Sequence, residues 1–548
     1  MKDIYLVSPV KVPEDIEIIA KATKCRDFYV YYHKFLNDNF EYINEFIDVA
    51  KKNDCRIFVN FKHDILEEDL VQIKKMIKFF KTTDIDGIFV NNYGVLEAIK
   101  VFSLPFKVFA DSYFDIHNLS GIDFINSFHK IDGIIITEEI YMKNIAKIKK
   151  YTKLSLAIDS DNLPWCIEDI KNLNAIDCVV IKGKFKTSEE ILEGVELVER
   201  IIEKPKLFKN QKLPFKHVRK SIYKTNHFSG DMVSAQGRDF KFSRNIEKFD
   251  WKVKRTFLKK NIVYSKPEGF KINLRLSSLA QIKYLKNFEQ KIGFKLVDSI
   301  EFGEILSTVD LAKKDFYSVI SIVQKFCEAR DIKFQLSTPR ILIERDFDRV
   351  YEYEKNFCLQ KAPDSLIVNN IGYFWNVIND DDLNNIPIEI GQGINLLNSM
   401  SIKCLNALHN IETVDFTDFK NVEESLKKVK NIINNRKYTI AGNKRVPSSG
   451  LCPLNSDSAV SSRLSCKAPC HKGQFALKDP SLKKNFPFTV DGFCRMHMFE
   501  DCIYENYSEI KHLNECGINE FVFDFSSLNE KFVPILLTNF LNFYQNSK

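Results

Sequence analysis

A strict alternation of short β-rich runs with amphipathic helical segments constrains the fold of this 548-residue chain most strongly. Within residues 1–203, eight apolar runs extend from Ile4–Ser8 to Asp177–Gly183, and the segments between them, such as Glu41–Lys52 and Glu67–Phe80, have apolar residues at helical spacing. Strands that alternate with helices form a parallel sheet. Eight such units in about 200 residues predict a (β/α)8 barrel. A doubly wound open sheet is the alternative.

The same alternation begins again near residue 262 and runs from Ile272–Ser278 to Asn519–Ser526. The two halves share a VNNxG motif at Val90–Gly94 and Val368–Gly372, each directly after an apolar run. A shared motif at matching positions indicates a tandem duplication. We therefore predict an α/β protein with two tandem (β/α)8 TIM-like barrels. Two unrelated α/β domains would not readily explain the shared motif. The predicted boundaries are 1–203 for the first barrel, 204–261 for a linker and 262–548 for the second barrel.

The linker is strongly basic. Between Lys204 and Lys260 there are 17 Lys and Arg against four Asp and Glu, whereas the whole chain has a formal net charge of +7. Phe, Tyr and Trp residues are interleaved with these charges. Basic residues with aromatics are typical of nucleic-acid binding, through phosphate contacts and base stacking. A solvated linker that packs on a neighbouring domain is the alternative.

Five of the 13 cysteines lie between residues 452 and 502, among Pro, Gly and Ser. Clustered thiolates predict a soft-metal or iron–sulfur site. A disulfide framework is typical of short secreted chains, whereas this long chain begins without the features of a signal peptide. We therefore expect a cytoplasmic protein, and no apolar run approaches the roughly 18 residues of a membrane span. The spacing leaves iron–sulfur and structural zinc open. The candidate ligands are Cys452, Cys466, Cys470 and Cys494, with Cys502 as an alternative to Cys494.

The cysteines fall in an insert, residues 445–516, between the seventh and eighth predicted strands of the second barrel. The insert therefore leaves the carboxyl end of a barrel strand, which is the end where TIM barrels build active sites. In the first barrel, Cys166 lies close to the position of Cys452, but nothing corresponds to the other three. The second barrel is predicted to carry out the chemistry and the first to bind or support.

Amides and arginines near the carboxyl ends of the second-barrel strands are candidate substrate-binding residues. Amides orient polar substrates through directional hydrogen bonds. Turn and helix-cap roles are the alternative for Asn370 and Asn398. Arginines bind carboxylate or phosphate, or would neutralise a thiolate cluster. The candidates are Asn369, Asn370, Gln392, Asn395, Asn398, Asn443, Arg445, Arg463 and Arg495.

Peptidase chemistry finds little support in the residues. The chain contains neither the HExxH motif of zinc peptidases nor the GxSxG elbow of serine hydrolases. A cysteine nucleophile needs a nearby base, and the sequence does not pair His409 with Cys404. Asp415, Asp418 and Asp524 lie where barrel strands end, as such residues do in any barrel.

The sequence resembles peptidase family U32, the collagenase-like group. The resemblance covers both barrels, is strongest over residues 437–526 and is weaker over 1–203. It rests on the stretch Asn39–Phe61, on the VNNxG runs followed by a helix, and above all on the cysteine block. That block contains, in the family's order, Cys452-Pro453, CKAPC (Cys466–Cys470), LKD (Leu477–Asp479), FPFTVD (Phe486–Asp491) and FCR (Phe493–Arg495).

The resemblance implies a 4Fe-4S cluster with Cys452, Cys466, Cys470 and Cys494 as ligands. Family members with this cysteine pattern take part in oxygen-independent hydroxylation of a tRNA uridine, of a ribosomal RNA cytidine, or of ubiquinone precursors as paired partners. Prephenate metabolism is linked to the RNA reactions, and other members are described as collagen-degrading peptidases. We therefore expect hydroxylation of RNA that binds the 204–260 segment. A prephenate-derived small molecule and a protein partner are further expected partners. A ubiquinone-type hydroxylation subunit, a non-catalytic cluster-bearing partner and a peptidase are the alternatives.

Overall fold

The computed structural model describes the two predicted barrels and part of the cysteine insert. Within residues 209–245, which make up most of the basic segment, no residue is described, and Cys466 and Arg463 also lie outside the described residues. The described residues are 3–35, 39–61, 65–100, 104–114, 116–127, 131–136, 145–160, 163–166, 170–182, 187–208, 246–259, 262–446, 452, 454, 469–479 and 484–546.

The first barrel is a closed ring of eight parallel strands. Strand β8 returns to β1, and the pair Tyr5↔Cys178 begins the register that closes the ring. The predicted barrel is therefore confirmed and the open-sheet alternative is excluded. The strands are β1 (Tyr5–Pro9), β2 (Asp27–Tyr31), β3 (Arg56–Asn60), β4 (Gly87–Val90), β5 (Lys107–Ala110), β6 (Gly133–Ile136), β7 (Ser155–Asp159) and β8 (Cys178–Val180).

Amphipathic helices surround the first barrel. Helix Ile43–Lys52 shows why they form, because Phe46, Ile47 and Ala50 are buried whereas Lys51 and Lys52 are exposed. This apolar stripe at helical spacing packs against the sheet. The helices described in this half are Glu14–Ala22, Ile43–Lys52, Leu70–Phe80, Tyr93–Lys100, Leu119–Asn126, Ile145–Tyr151, Leu163–Cys166, Ile170–Ala175, Ser188–Glu203 and Pro205–Phe208.

The second barrel has the same wall. Strand β20 pairs in parallel with both β10 and β16, and β15 pairs with β16, so these eight strands also close. The strands are β10 (Lys271–Leu276), β11 (Ser299–Phe302), β12 (Lys333–Ser337), β13 (Ser365–Val368), β14 (Ile388–Ile390), β15 (Ile411–Asp415), β16 (Asn435–Arg445) and β20 (Glu520–Asp524). The helices are Leu279–Ile292, Thr308–Leu311, Phe316–Glu328, Glu344–Lys361, Ile371–Ile378, Val422–Val429, Ile510–Cys516 and Phe532–Asn546.

The interiors of the two barrels differ in chemistry. The first is filled with apolar and aromatic side chains, including Tyr29, Phe58 and Phe89. The second contains a buried polar network in which Lys437 Nζ lies 2.5 Å from Glu389 Oε2 and 2.9 Å from Gln335 Oε1. Buried charges are costly unless they are paired and hydrogen-bonded, and these are paired. The second interior is therefore charged, although both walls share one architecture.

The cysteine insert continues the barrel wall into a second sheet. Strand β16 pairs with β15 and β20 through its first half and, through residues 441–445, with the antiparallel strand β19 (Met496–Glu505). Strands β18 (Lys484–Val490) and β17 (Phe475–Asp479) follow, and β9 (Ile246–Lys248) forms the outer edge. The predicted insertion between the seventh and eighth strands is thus confirmed.

The chain divides into two compact units. The first comprises residues 1–236 and 395–407, and the second comprises 237–394 and 408–548. Residues 395–407 follow β14 in the sequence, yet their helix, Ser399–Asn406, belongs to the first unit. Among the described helices, none is long and apolar enough to cross a membrane.

Candidate active site of the second barrel

A buried arginine is at the centre of the carboxyl end of the second barrel. Arg275, on β10, has three carboxylate partners: its Nε lies 2.7 Å from Glu301 Oε1, its Nη2 3.0 Å from Asp415 Oδ2 and its Nη1 3.1 Å from Asp524 Oδ2. These partners come from β11, β15 and β20, and the Arg275 side chain is only 4% exposed. Four strands therefore fix a rigid charged floor, because each guanidinium nitrogen named here has its own acceptor.

A second arginine layer lies beyond this floor. Arg445 forms ion pairs with Glu304 and with Asp524, whose Oδ2 is 3.2 Å from Arg445 Nη2. Burial opposes ionisation of Glu304, but the charges of Arg445 and Arg340 outweigh it and lower the pKa of the Glu304 carboxyl to about 2. Glu304 is therefore a carboxylate at neutral pH, and the predicted residue Arg445 is held by it.

Arg340 differs from the other two arginines. Its Nε lies 3.5 Å from Glu304 Oε1, which is an ion-pair distance rather than a good hydrogen bond. Among the described residues, its buried Nε and Nη2 have no hydrogen-bond partner. Burial lowers the pKa of Arg340, and the negative charge of Glu304 opposes this shift. Unsatisfied donors beside a barrel mouth are suited to binding an anionic group.

The two asparagines of the second VNNxG motif have their polar groups engaged within the fold. Asn369 donates to Ser337 Oγ at 3.0 Å and accepts from the Gly393 amide at 3.1 Å. Asn370 is the N-cap of helix Ile371–Ile378, because its Oδ1 accepts from the Gly372 amide at 3.1 Å. Asn92 accepts from the Gly94 amide in the same way in the first barrel. The motif therefore has a local structural cause in both barrels.

The other predicted amides lie in different surroundings. Gln392 is half-buried and donates to Thr439 Oγ1 at 3.2 Å. Asn443 donates to the Cys502 carbonyl and accepts from the Ser527 hydroxyl, so it joins the insert to the chain after β20. Asn395 is half-buried and belongs to the first unit, as does Asn398, which caps helix Ser399–Asn406. The structure thus places Gln392 and Asn443, but neither Asn395 nor Asn398, in the second unit.

The turn between β18 and β19 carries a buried ionic cluster. Asp491 accepts from Arg495 Nε at 2.9 Å and lies 3.0 Å from His497 Nε2. Burial opposes ionisation of Asp491, but Arg495 and His497 outweigh it and lower its pKa to about 2. Arg495 is only 1% exposed and also donates to the Ile341 carbonyl. The predicted residue Arg495 therefore anchors the turn that presents Cys494.

Two of the candidate ligands are held against one segment of the barrel. Cys494 has a positive φ of 62° in this turn, and the neighbouring Gly492 amide donates to the Leu306 carbonyl at 3.1 Å. Cys470 lies in the 3-10 helix Pro469–Lys472, which packs against helix Thr308–Leu311. Residues 306–311 therefore contact both segments. This arrangement positions Cys470 and Cys494 near the same edge of the barrel.

The remaining cysteines divide by burial. Cys452, Cys470 and Cys494 are half-buried, and no disulfide joins them. Cys502 is exposed on β19, whereas Cys166 is buried in the first barrel, where burial raises the pKa of its thiol to about 12. Thiolates of half-buried cysteines fit either an iron–sulfur cluster or zinc. The thiol chemistry of Cys452, Cys470 and Cys494 is thus compatible with a thiolate-ligated group, and Cys466, the remaining predicted ligand, lies outside the described residues.

The described end of the basic segment lies on the second unit. Strand β9 pairs with β17, and the Asn539 side chain donates to the Lys254 carbonyl at 2.8 Å. Trp251 is buried and packs edge-on against Phe249, so it is unavailable for base stacking, whereas Phe257 is 83% exposed. The basic side chains that remain exposed here are Lys248, Lys252, Lys254, Arg255 and Lys259.

The comparisons with known proteins concern family and fold. Residues 31–159 match the model of peptidase family U32. This match supports the predicted family over these residues. No curated protein matches the sequence. The U32 match lies within the first barrel, although the resemblance read from the sequence is strongest in the cysteine block of the second.

Several solved structures are similar to parts of this chain. Thiamine phosphate pyrophosphorylase from Pyrococcus furiosus is 11% identical over 36% of this chain and 96% of its own, with a TM-score of 0.26. An enolase from Bradyrhizobium is 12% identical over 33% and 52%, with a TM-score of 0.26. The spore cortex-lytic enzyme of Bacillus cereus is 9% identical over 50% and 74%, with a TM-score of 0.26. Scores this low add nothing about function.

Sequence reasoning missed the arginine network. Arg275, Glu304 and Arg340 were not among the predicted residues, although each lies in or directly after an apolar run of the second half. The signal that could have found Arg275 is a charge flanked by leucines near the end of a strand, because a charge rarely enters a barrel interior unpaired. Arg340 and Glu304 follow strand ends, which is where TIM-barrel functional residues lie.

Proposed function

We propose that this U32-family chain carries a 4Fe-4S cluster on Cys452, Cys466, Cys470 and Cys494. The half-burial of the three described cysteines and the contacts of residues 306–311 with the segments of Cys470 and Cys494 support this assignment. Such a cluster, when bound, supplies single-electron transfer. The buried Arg495, four residues after Asp491, holds the Cys494 turn rigid. Structural zinc on the same thiols is the alternative.

We propose further that the substrate is RNA, either tRNA or ribosomal RNA. The observation that carries this proposal is the pairing of β9, a strand within the basic segment, with β17 of the cysteine insert. Lys248 lies on β9, and the other four exposed basic side chains lie in the stretch that follows β9 in the sequence. Phosphate contacts from such side chains supply sequence-independent affinity. The exposed Phe257 provides an aromatic face on which a base stacks.

The proposed reaction is oxygen-independent hydroxylation of a pyrimidine. The base C–H bond becomes C–OH, so the carbon loses two electrons. A hydroxyl-bearing carboxylate co-substrate of the prephenate type, X–OH, supplies the oxygen and is reduced by the same two electrons to X–H. Arg340 supports this step, because its Nε and Nη2 are unsatisfied donors among the described residues and guanidinium binds carboxylate in a bidentate manner. Arg275 and Arg445, already paired with carboxylates, hold the site in place.

Nucleoside mass spectrometry of tRNA and ribosomal RNA tests the function. Cells without this gene should lack one hydroxylated pyrimidine, and the native gene should restore it. Restoration should fail with Arg340→Gln, although that variant should keep its iron. The matched control is Arg345→Gln, because Arg345 is 64% exposed. An unchanged nucleoside profile in the deletion strain would refute RNA hydroxylation and favour a ubiquinone-type, small-molecule hydroxylation subunit.

Metal analysis tests the cluster separately. Protein purified without oxygen should be brown, with broad absorbance near ~400 nm and about four irons per chain. Serine at Cys452, Cys466, Cys470 or Cys494 should remove the colour, whereas Cys166→Ser and Cys502→Ser should not. Stoichiometric zinc without iron refutes the cluster. Loss of colour with Cys502→Ser but not with Cys494→Ser would instead reassign the fourth ligand.

A cysteine peptidase is disfavoured by the surroundings of Cys404. Burial raises the pKa of its thiol to about 12, and the thiolate is the nucleophilic form. Lys100 and Glu97 have opposite effects on this pKa, and neither outweighs the burial. A buried thiol next to a carboxyl is poorly suited to attack a peptide bond.

A further inference from the structure

The carboxyl end of the first barrel carries a ring of polar side chains above an apolar floor. The floor includes Tyr29, Phe58, Phe89 and Ala157, all facing the barrel interior. Side chains alternate along a strand, so the residue two positions later points the same way, one layer closer to the carboxyl end. The residues at these later positions are Tyr31, Asn60, Asn91, Asp111, Asp159 and Lys182.

Three members of this ring form an ionic network. Lys182 Nζ lies 2.5 Å from Asp159 Oδ2 and 3.7 Å from Asp111 Oδ1. Ser112 joins them, because its hydroxyl accepts from Lys182 Nζ at 2.8 Å and donates to Asp111 Oδ1 at 2.9 Å. Asp111 is fully buried and Lys182 is 9% exposed. Residues at or just after the carboxyl ends of β5, β7 and β8 therefore meet at the end where TIM barrels bind their ligands.

Two acceptors of the ring are unused. Asp111 Oδ2 and Asn60 Oδ1 have no hydrogen-bond partner among the described residues, and their side chains are 0% and 1% exposed. A buried acceptor without a donor costs free energy, and a ligand hydroxyl at this end of the barrel would satisfy it. Both oxygens belong to the same interior layer, since Asn60 follows Phe58 and Asp111 follows Phe109 by two positions.

The ionic network in this ring has a net negative charge. Two carboxylates, Asp111 and Asp159, face one ammonium, Lys182, so the network carries a formal charge of −1. A buried negative charge repels an anionic ligand and accepts hydrogen bonds from hydroxyl groups. The apolar floor covers a carbon skeleton without further polar contacts. The charge therefore disfavours a phosphate ester, which many TIM barrels bind, relative to the uncharged molecule.

From this juxtaposition we propose that the first barrel has its own binding site for a small, uncharged, hydroxyl-rich molecule of sugar size. The ligand donates hydroxyl hydrogen bonds to Asp111 Oδ2 and Asn60 Oδ1, while Lys182 holds the Asp159 and Asp111 carboxylates in place. The site lies in the unit without the cluster cysteines. None of these residues takes part in the chemistry proposed for the second barrel.

Ligand-observed NMR and calorimetry on the full chain test the site with three probes: D-ribose, D-glucose and myo-inositol. At least one should bind at millimolar concentration or below. Its phosphate ester (ribose 5-phosphate, glucose 6-phosphate or inositol 1-phosphate) should bind at least about tenfold more weakly, a difference of about 1.4 kcal/mol. Absence of binding by all three probes, or tighter binding of the ester, overturns the proposal.

Substitutions in the ring distinguish specific binding of the probe at this site from nonspecific binding elsewhere. Asp111→Asn keeps the shape but removes the charge, and it should weaken the probe at least about tenfold, as expected for a hydrogen bond to a charged group. Asp84→Asn is the matched control, because the Asp84 side chain is 74% exposed, and it should bind as the native chain does. If Asp111→Asn does not fold, Asn60→Ala provides the same test. Equal binding by native and ring-variant chains contradicts the proposal.

Discussion

Glu354 gives the protein a pH-dependent stability that one substitution should remove. This residue lies on helix Glu344–Lys361 and is fully buried. Neither carboxyl oxygen makes a hydrogen bond of normal geometry among the described residues. Burial raises the pKa of Glu354 to about 8, and the Tyr373 hydroxyl and the Arg495 charge offset this only in part. Glu354 is therefore protonated in the folded chain at neutral pH.

The magnitude follows from linkage between protonation and folding. The folded-state pKa of about 8 exceeds the ordinary value of 4.5, so the folded state binds the proton more tightly. The stabilising contribution is thus complete below pH ~4.5 and is lost as pH rises through ~8. At ~1.36 kcal/mol per pKa unit, the free energy of unfolding should fall by roughly 3 kcal/mol between pH ~6 and ~9 from this group alone.

Denaturant unfolding of native protein and Glu354→Gln at several pH values measures this contribution. Glutamine has nearly the shape of the protonated acid and cannot ionise, so the difference between the two free energies should grow in favour of the variant as pH rises. Glu352→Gln, a change at an exposed position on the same helix, should leave the pH dependence of the native chain unchanged. A constant difference between Glu354→Gln and native protein from pH ~6 to ~9 would refute the argument, because the acid would then not be neutral when folded.

Two further predictions concern RNA binding and the VNNxG motif. If RNA binds along the described basic stretch, replacing Lys252, Lys254, Arg255 and Lys259 with Gln should reduce the slope of log K against log salt concentration. The reduction should be up to about 3, at about 0.7 per phosphate contact. An unchanged slope in filter-binding titrations would contradict this. Asn370→Ala should lower the free energy of unfolding by about 1 kcal/mol through loss of the helix cap, measured by urea denaturation, whereas Asn370→Asp should retain most of it. Native stability of Asn370→Ala together with lost RNA modification would instead favour the substrate role.

The barrel architecture could be predicted because its signal is local. Each strand is an apolar run of a few residues, and each helix has an apolar stripe. The burial of Phe58 or Ile47 can therefore be predicted from the residues next to it in the sequence. The insert was predictable for the same reason, because seven apolar runs of the second half precede it and one follows it. Local patterns determine the wall and the position of the insert.

Contacts between distant segments could not be predicted. The pairing of Glu247 with Ala476 joins residues more than 200 positions apart, and no local pattern specifies that register. The burial of Arg495 depends on Asp491, which faces it only because a turn with a positive φ at Cys494 separates them. The sequence predicted the residue types of the site, whereas tertiary packing decides which arginine is paired and which has unused donors.

The charged interior of the second barrel is better explained by function than by stability. Both barrels have the same eight-stranded wall, and in the first the layer that contains Phe58 and Phe89 is filled with apolar side chains. A buried ion network seldom stabilises a fold more than apolar residues of similar volume, because desolvation offsets the attraction between the charges. Stability alone therefore does not explain Arg275 with its three carboxylates. The network instead gives the mouth of the second barrel fixed carboxylates and arginines, and Arg445 ends the strand from which the cysteine insert leaves.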